Sequence, residues 1–168
     1  MFKVAILTIS DSSYYDKKKD LSGPALKSMI EANDKYIVEQ MDILPDDEEV
    51  IFEKLCQIAD AKKAHLILTT GGTGFAKRDV TPEATYRAID KYVPGISEEM
   101  RRFSMKITKH AILSREISGI RKHSLIINLP GSPKAATENL SAVLDVLGHG
   151  LKLLMDLETD CGKMRHKR

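Results

Sequence analysis

The segment His65-Leu-Ile-Leu-Thr-Thr-Gly-Gly-Thr-Gly-Phe-Ala-Lys-Arg-Asp-Val-Thr-Pro-Glu-Ala-Thr85 decides the fold. It opens as a short apolar run, His65 to Thr69, which reads as a buried strand. It breaks into Gly71-Gly72-Thr73-Gly74, passes a basic pair and a carboxylate, Lys77-Arg78-Asp79, and restarts as a helix at Thr81-Pro82. A strand ending in a glycine turn ahead of a helix start presents backbone N–H groups to an anion. Glycine permits positive φ and close approach of the backbone to a phosphate. Thr73 adds a hydroxyl, Lys77 or Arg78 can neutralise charge, and Asp79 can hold a metal ion. The glycines alone fit a plain tight turn leading into a capped helix equally well. The segment lacks the Gly-Lys-Ser/Thr ending of a P-loop and the spacing of a dinucleotide fingerprint. Local physics therefore gives an anion site without naming the anion.

Outward from this segment, strands alternate with helices. Lys3 to Ile9 is a continuous apolar strand. The polar stretch Asp11 to Asp20 reads as a surface loop, and its Lys17-Lys18-Lys19 run as a solvated face. Ser22-Gly23-Pro24 opens a helix, with Pro24 suited to a first turn. Tyr36 to Leu44 alternates imperfectly and is expected to be a strand ended by Pro45. Asp46-Asp47-Glu48-Glu49 starts the next helix with an acidic first turn. Pro82 to Ile89 and Ile96 to Ile107 are expected helices, the second with Met100, Phe103 and Ile107 inward and Arg101 and Arg102 outward. Ala111 to Arg121 reads as short strands or irregular loop. Ser124 to Asn128 is a strand, and Leu129 to Lys134 is a second strand-to-helix turn. Ser132 suits an N-cap there and Pro133 a first helical residue. The last helical region runs to about Met155, with Gly148 and Gly150 able to split it.

Continuous apolar strands alternating with helices predict a three-layer α/β/α fold with a mainly parallel sheet covered on both faces. In such sheets ligands bind beyond the carboxyl ends of the strands. Ser10-Asp11, Asp46, the glycine loop and Gly131-Ser132 all fall there. The expected organisation is one domain over residues 1–157 and a polar, basic, mobile tail over 158–168.

The totals narrow the classes. The 168 residues are 42% apolar and 30% charged, which suits one soluble domain with a core. A net charge of +2, 5% aromatic residues and no tryptophan argue against a nucleic-acid partner. No run is long enough for a membrane span, and the N-terminal apolar run is too short for a signal peptide. Cys56, expected to be buried, and Cys161 are far apart and outside any metal-ligand spacing, which fits a reducing cytoplasm. The five histidines show no ligand spacing, and the methionines read as core.

Each candidate also has a plainer role. Asp46 can cap its helix, with Glu49 completing a capping box. Ser132 is explained as a cap. Thr81 already fills the cap before Pro82, which leaves Asp79 for function. Lys134 opposes the dipole of its own helix and is better explained by an anion it contacts. Two carboxylates near a phosphate-cradling loop suit Mg²⁺-assisted phosphoryl or nucleotidyl transfer.

The combined motifs carry a resemblance. Thr69 to Gly74 followed by Arg78-Asp79-Val80-Thr81-Pro82-Glu83-Ala84 resembles the signature of the molybdenum cofactor biosynthesis domain, found in MogA-type molybdopterin adenylyltransferases, MoaB-type proteins and the G domain of gephyrin. The match extends through Leu7 to Asp11, Ser22-Gly23, Leu44-Pro-Asp46, Leu113-Ser-Arg115 and Asn128 to Lys134. The resemblance implies transfer of AMP from ATP to the terminal phosphate of molybdopterin, with release of pyrophosphate. It implies Asp46 and Asp79 as Mg²⁺- and nucleotide-positioning carboxylates. Gly71, Gly72, Thr73, Gly74, Ser132 and Lys134 would hold molybdopterin and its phosphate, Ser10 and Asp11 would line the nucleotide side, and Arg78 would bind substrate. It further implies a homotrimer and a transient molybdate-insertion partner. Some MoaB-type proteins lack these carboxylates, so a non-catalytic molybdopterin carrier is the alternative; retention of both carboxylates here favours the enzyme.

Overall fold

The structure is a computed structural model and describes residues 1–16 and 18–157. The expected tail and Cys161 lie outside the described residues. The first apolar run forms strand β1 (Phe2–Ile9), and its alternate side chains feed two cores. Phe2, Val4 and Ile6 face one layer of helices, while Ala5, Leu7 and Ile9 face the other. β2 (Tyr36–Leu44), β3 (Leu66–Thr70) and β6 (Ser124–Leu129) run parallel to β1. β4 (Lys91–Tyr92) and β5 (Ser118–Arg121) add an antiparallel edge, giving the order β2-β1-β3-β6-β5-β4. The predicted mainly parallel α/β/α architecture is present.

The first core is covered by α2 (Ser22–Glu31), α5 (Pro94–Ser104), α6 (Pro133–Ser141) and α7 (Leu144–Leu154); the second by α3 (Glu48–Asp60) and α4 (Thr81–Ala88). Leu26, Leu66, Leu68 and Ile127 are sealed in the first, and Leu7, Ile51, Leu55 and Ile67 in the second. Full burial of each such side chain contributes about 1.5–3 kcal/mol.

The imperfect alternation of β2 has a physical cause. Its register against β1 slips between Val4 and Ala5, so that Val4 pairs with Val38 and Ala5 with Gln40. The bulge at Glu39 moves the apolar side chains from even to odd positions while keeping them on one face. Tyr36 and Val38 precede it on the α2 side, and Met41 follows, close to Gly23 at the start of α2.

Several local expectations are corrected. Asp11–Tyr14 is a short helix, α1, rather than loop. The α3 N-cap is Asp47, whose carboxylate accepts from the N–H groups of Glu49 and Val50; Asp46 does not cap. Thr81 is the first residue of α4, and its hydroxyl donates to Gly71 O instead of capping. Arg101 is half-buried and donates to Glu116 O at 2.7 Å, while Ile107 lies outside α5 and is 52% exposed. The last helical region divides at Ala142–Val143, not at Gly148 or Gly150, because both glycines lie within α7. A 3₁₀ turn at Lys109–Leu113 precedes β5. Cys56 is only half-buried, and Met100 is the one methionine in the sealed core among the described residues.

Candidate active site

The carboxyl ends of β1, β2, β3 and β6 converge on one cavity of about 350 Å³. Ser10, Asp46, Gly71, Gly72, Asp79 and Gly131 line it. The glycine turn is built by close packing. Gly71 (φ +105°) and Gly72 (φ +64°) occupy backbone conformations that favour glycine, and any Cβ on Gly71 would strike Ile9 O. Gly131 brings the second turn against the first: a Cβ there would lie 3.3 Å from Gly71 Cα.

Arg115 fastens the loop that follows. Its N–H donates to Thr73 O at 3.0 Å, its Nε to Gly74 O at 2.7 Å and its Nη2 to Asp79 O at 2.5 Å, and its guanidinium pairs with Glu83. Asp79 folds back, accepting from Ala76 N–H through Oδ2 at 2.9 Å. Asp79 therefore also has a structural role, which the sequence reading did not give it, and it still lines the cavity.

Asp46 is held from across the sheet. Its Oδ2 accepts from Asp11 N–H, and Asp11 in turn takes both Nε and Nη2 of Arg78, each at 2.9 Å. Burial, first of all, pushes the Asp46 carboxyl above its usual range; the Asp11 N–H opposes this, and the nearby charges of Asp11 and Asp79 reinforce it. The mutual repulsion of Asp46 and Asp79 marks two carboxylates sharing one space. Each uses Oδ2 on a backbone N–H and leaves Oδ1 without a hydrogen bond among the described residues. Two such carboxylates fit Mg²⁺, which takes one or two carboxylates and completes its shell with phosphate and water. No cluster of three or more metal-ligating side chains occurs among the described residues.

The predicted residues do not all meet. Ser10, Asp46, Gly71, Gly72 and Asp79 share the cavity, and Asp11 and Arg78 brace it through their ion pair. Ser132 caps α6 by accepting from Ala135 N–H. Lys134 stands apart, 82% exposed in its side chain and 3.9 Å from Glu138. Lys77 is exposed. Conversely, Lys18 and Lys19 line the cavity, although their run reads as a solvated face, as do Thr8, Asp20 and Ser22. Asp20 accepts from Thr8 Oγ1 and from the N–H groups of Ser22 and Gly23. Ser22 Oγ donates to Gly131 O, joining this wall to the second turn. The Leu113-Ser-Arg115 motif was the one sequence signal for the Arg115 clamp.

A second cavity, of about 200 Å³, lies beyond the same turns. Thr73 and Pro130 form part of its wall, together with Arg101, Ser114, Glu116 and Asn139. Thr73 directly follows Gly72, and Pro130 directly precedes Gly131, so the two turns separate the two cavities.

This arrangement has counterparts. Residues 5–149 match a family model described as a probable molybdopterin binding domain. The chain belongs to the molybdopterin-binding domain family. Within this family the chain is 42% identical over 153 residues to the molybdopterin adenylyltransferase of Haemophilus influenzae, covering 90% of this chain and 77% of that protein. It is 40% identical over 148 residues to the molybdopterin adenylyltransferase of Escherichia coli K12, covering 88% and 76%. The crystal structure of the molybdopterin biosynthesis enzyme MoaB from Thermus thermophilus superposes with a TM-score of 0.87 at 44% identity, covering 93% of this chain and 98% of that one. The molybdopterin-binding domain thus accounts for nearly all of the described elements.

Proposed function

We propose that the protein is a molybdopterin adenylyltransferase acting in molybdenum cofactor biosynthesis. The observation that carries the reading is the pair Asp46 and Asp79 at the mouth of a glycine turn, in a chain about 40% identical to proteins of that name. In the proposed reaction a terminal phosphate oxygen of molybdopterin attacks the α-phosphorus of ATP. A new P–O bond forms, the bond from the α-phosphorus to the bridging oxygen breaks, and pyrophosphate leaves with that electron pair.

The chain's own part is positioning and charge stabilisation. Gly71 to Gly74 and Ser132 hold the molybdopterin phosphate, and Lys134 adds positive charge that attracts it from solvent. Ser10, Asp11, Lys18 and Lys19 face the nucleotide. Arg78 keeps Asp11, and through it Asp46, in place. Asp46 and Asp79 would hold Mg²⁺, which when bound neutralises charge building on the phosphates. A homotrimer, cytoplasmic residence and a transient molybdate-insertion partner belong to the same reading; no helix among the described residues is long and apolar enough to cross a membrane.

The test is transfer of label. With Mg²⁺, molybdopterin and ATP labelled in the α-phosphate, the label is expected in the pterin fraction. Label that stays wholly with ATP would overturn the reading.

A further inference from the structure

Glu116 is 1% exposed, and neither of its carboxyl oxygens has a hydrogen-bond partner among the described residues. Buried carboxyls are ordinarily paired, because an unpartnered one costs its full desolvation. The rest of the residue is satisfied: its N–H donates to Ser114 Oγ and its carbonyl accepts from Arg101. Arg101 therefore spends its Nη1 on the main chain rather than on the carboxylate.

Glu116 lines the second cavity, whose walls include Ile107, Ala111, Pro130 and Ala135. Its buried neighbour Asn139 is already engaged, donating to Ser104 Oγ at 3.0 Å and Ala135 O at 2.8 Å. A planar group with two free acceptor oxygens on a partly apolar wall matches a flat ring that carries two adjacent N–H donors. Thr73, which lines the same cavity, belongs to the glycine turn, so one ligand can place a ring in this cavity and a phosphate at the turn.

We propose that Glu116 selects the pterin ring of the substrate, its two oxygens accepting from the ring N–H and the exocyclic amino group of the 2-amino-4-oxo edge. The identity of the ligand rests on the adenylyl-transfer reading; the need of Glu116 for paired donors does not. Burial, first of all, pushes the Glu116 carboxyl up to about 7, opposed by the Ser114 hydroxyl and the charge of Arg101, and ring donors favour its ionised form. Arg101 from α5, His110 from the 3₁₀ turn and Glu138 from α6 are the other charged or titratable groups on this cavity.

The test compares two stable probes, 6-hydroxymethylpterin and 6-hydroxymethyllumazine, in which an oxo group replaces the amino group. Binding is measured at pH 8 by competition. Wild type is expected to prefer the pterin by about 10-fold or more, the size of a lost charge-assisted hydrogen bond. Glu116→Gln and Glu116→Met are both expected to lose most of that preference while keeping a cooperative unfolding transition. The Met variant removes the buried carboxyl altogether and leaves no buried polar group there to satisfy. Equal binding of the two probes by wild type, binding of neither, or a preference retained in the variants would overturn the proposal. Pyrophosphate release from ATP and molybdopterin separates the two claims. Release without a pterin preference sinks the role of Glu116 alone. A pterin preference without release sinks adenylyl transfer and supports Glu116.

Discussion

Asp11 and Asp46 exchange hydrogen bonds: Asp11 N–H donates to Asp46 Oδ2 at 2.8 Å, and Asp46 N–H donates to Asp11 Oδ1 at 2.9 Å. The reciprocal pair ties the carboxyl end of β1 to that of β2 and fixes one carboxylate of the candidate site. It also explains why Asp47, and not Asp46, caps α3.

The pair separates positioning from stability. Arg78→Ala removes an exposed ion pair to Asp11, and such pairs contribute about 0.2–1 kcal/mol. Asp11→Ala also strips the acceptor from the part-buried Asp46 N–H and is expected to cost about 1–3 kcal/mol. Urea unfolding should rank the two variants in that order. Asp11→Asn, which keeps a carbonyl acceptor, should recover most of the difference. Equal losses in Arg78→Ala and Asp11→Ala would show that the reciprocal pair holds nothing.

Two glycine-to-alanine substitutions should move in opposite directions. Gly71→Ala places a methyl into Ile9 O at φ +105° and is expected to cost at least about 2 kcal/mol, with loss of activity. Gly150→Ala lies within α7 with no heavy atom within 4 Å of the new Cβ, and is expected to stabilise by about 0.4–1 kcal/mol. Thermal unfolding of the two variants reads both signs. A neutral Gly71→Ala would mean that the turn relaxes away from β1.

The folded-state value of Glu116, about 7, lies above its usual 4.5. The folded protein therefore holds this proton more tightly than the unfolded chain does. The resulting stability is fully present below about pH 4.5 and is lost as pH rises through about 7. The difference corresponds to about 3 kcal/mol. Other carboxylates titrate in the same range, so the clean quantity is the difference between wild type and Glu116→Gln. That difference should shift in favour of the variant by about this amount between pH 4.5 and 8. A difference independent of pH would mean that Glu116 finds partners in solution.

The layers, the parallel sheet and four strand-end site segments were legible because buried parallel strands are written as continuous apolar runs. Asp79 stood out because Thr81 reads as the cap of the next helix, although Thr81 proves to be the first residue of α4. Asp46 reads equally well as a cap, and only the structure gives that role to Asp47. What escaped lies in tertiary contacts. Edge strand β4 is two exposed residues, Lys91 and Tyr92, with no periodicity to read. Glu39 at the bulge is one inserted residue that reverses the parity of β2, which alternation alone registers only as imperfection. Lys18 and Lys19 look like any charged run until the loop turns them to the cavity. The partnerless state of Glu116 depends on what α5, α6 and the 3₁₀ turn fail to offer it, and no spacing in the chain encodes that.

The central claim is that Asp46 and Asp79 serve adenylyl transfer from a folded scaffold. Its most direct measurement is pyrophosphate release with fresh molybdopterin and Mg²⁺-ATP, with wild type beside Asp46→Asn and Asp79→Asn. Each asparagine keeps a carbonyl oxygen for its backbone N–H, so both variants should unfold cooperatively and within about 1 kcal/mol of wild type. Turnover by wild type, reduced about 100-fold or more in both folded variants, is the predicted result. Undiminished turnover in either variant, or tight pterin binding by a wild type that releases no pyrophosphate, would contradict the claim; the second outcome would leave a molybdopterin carrier.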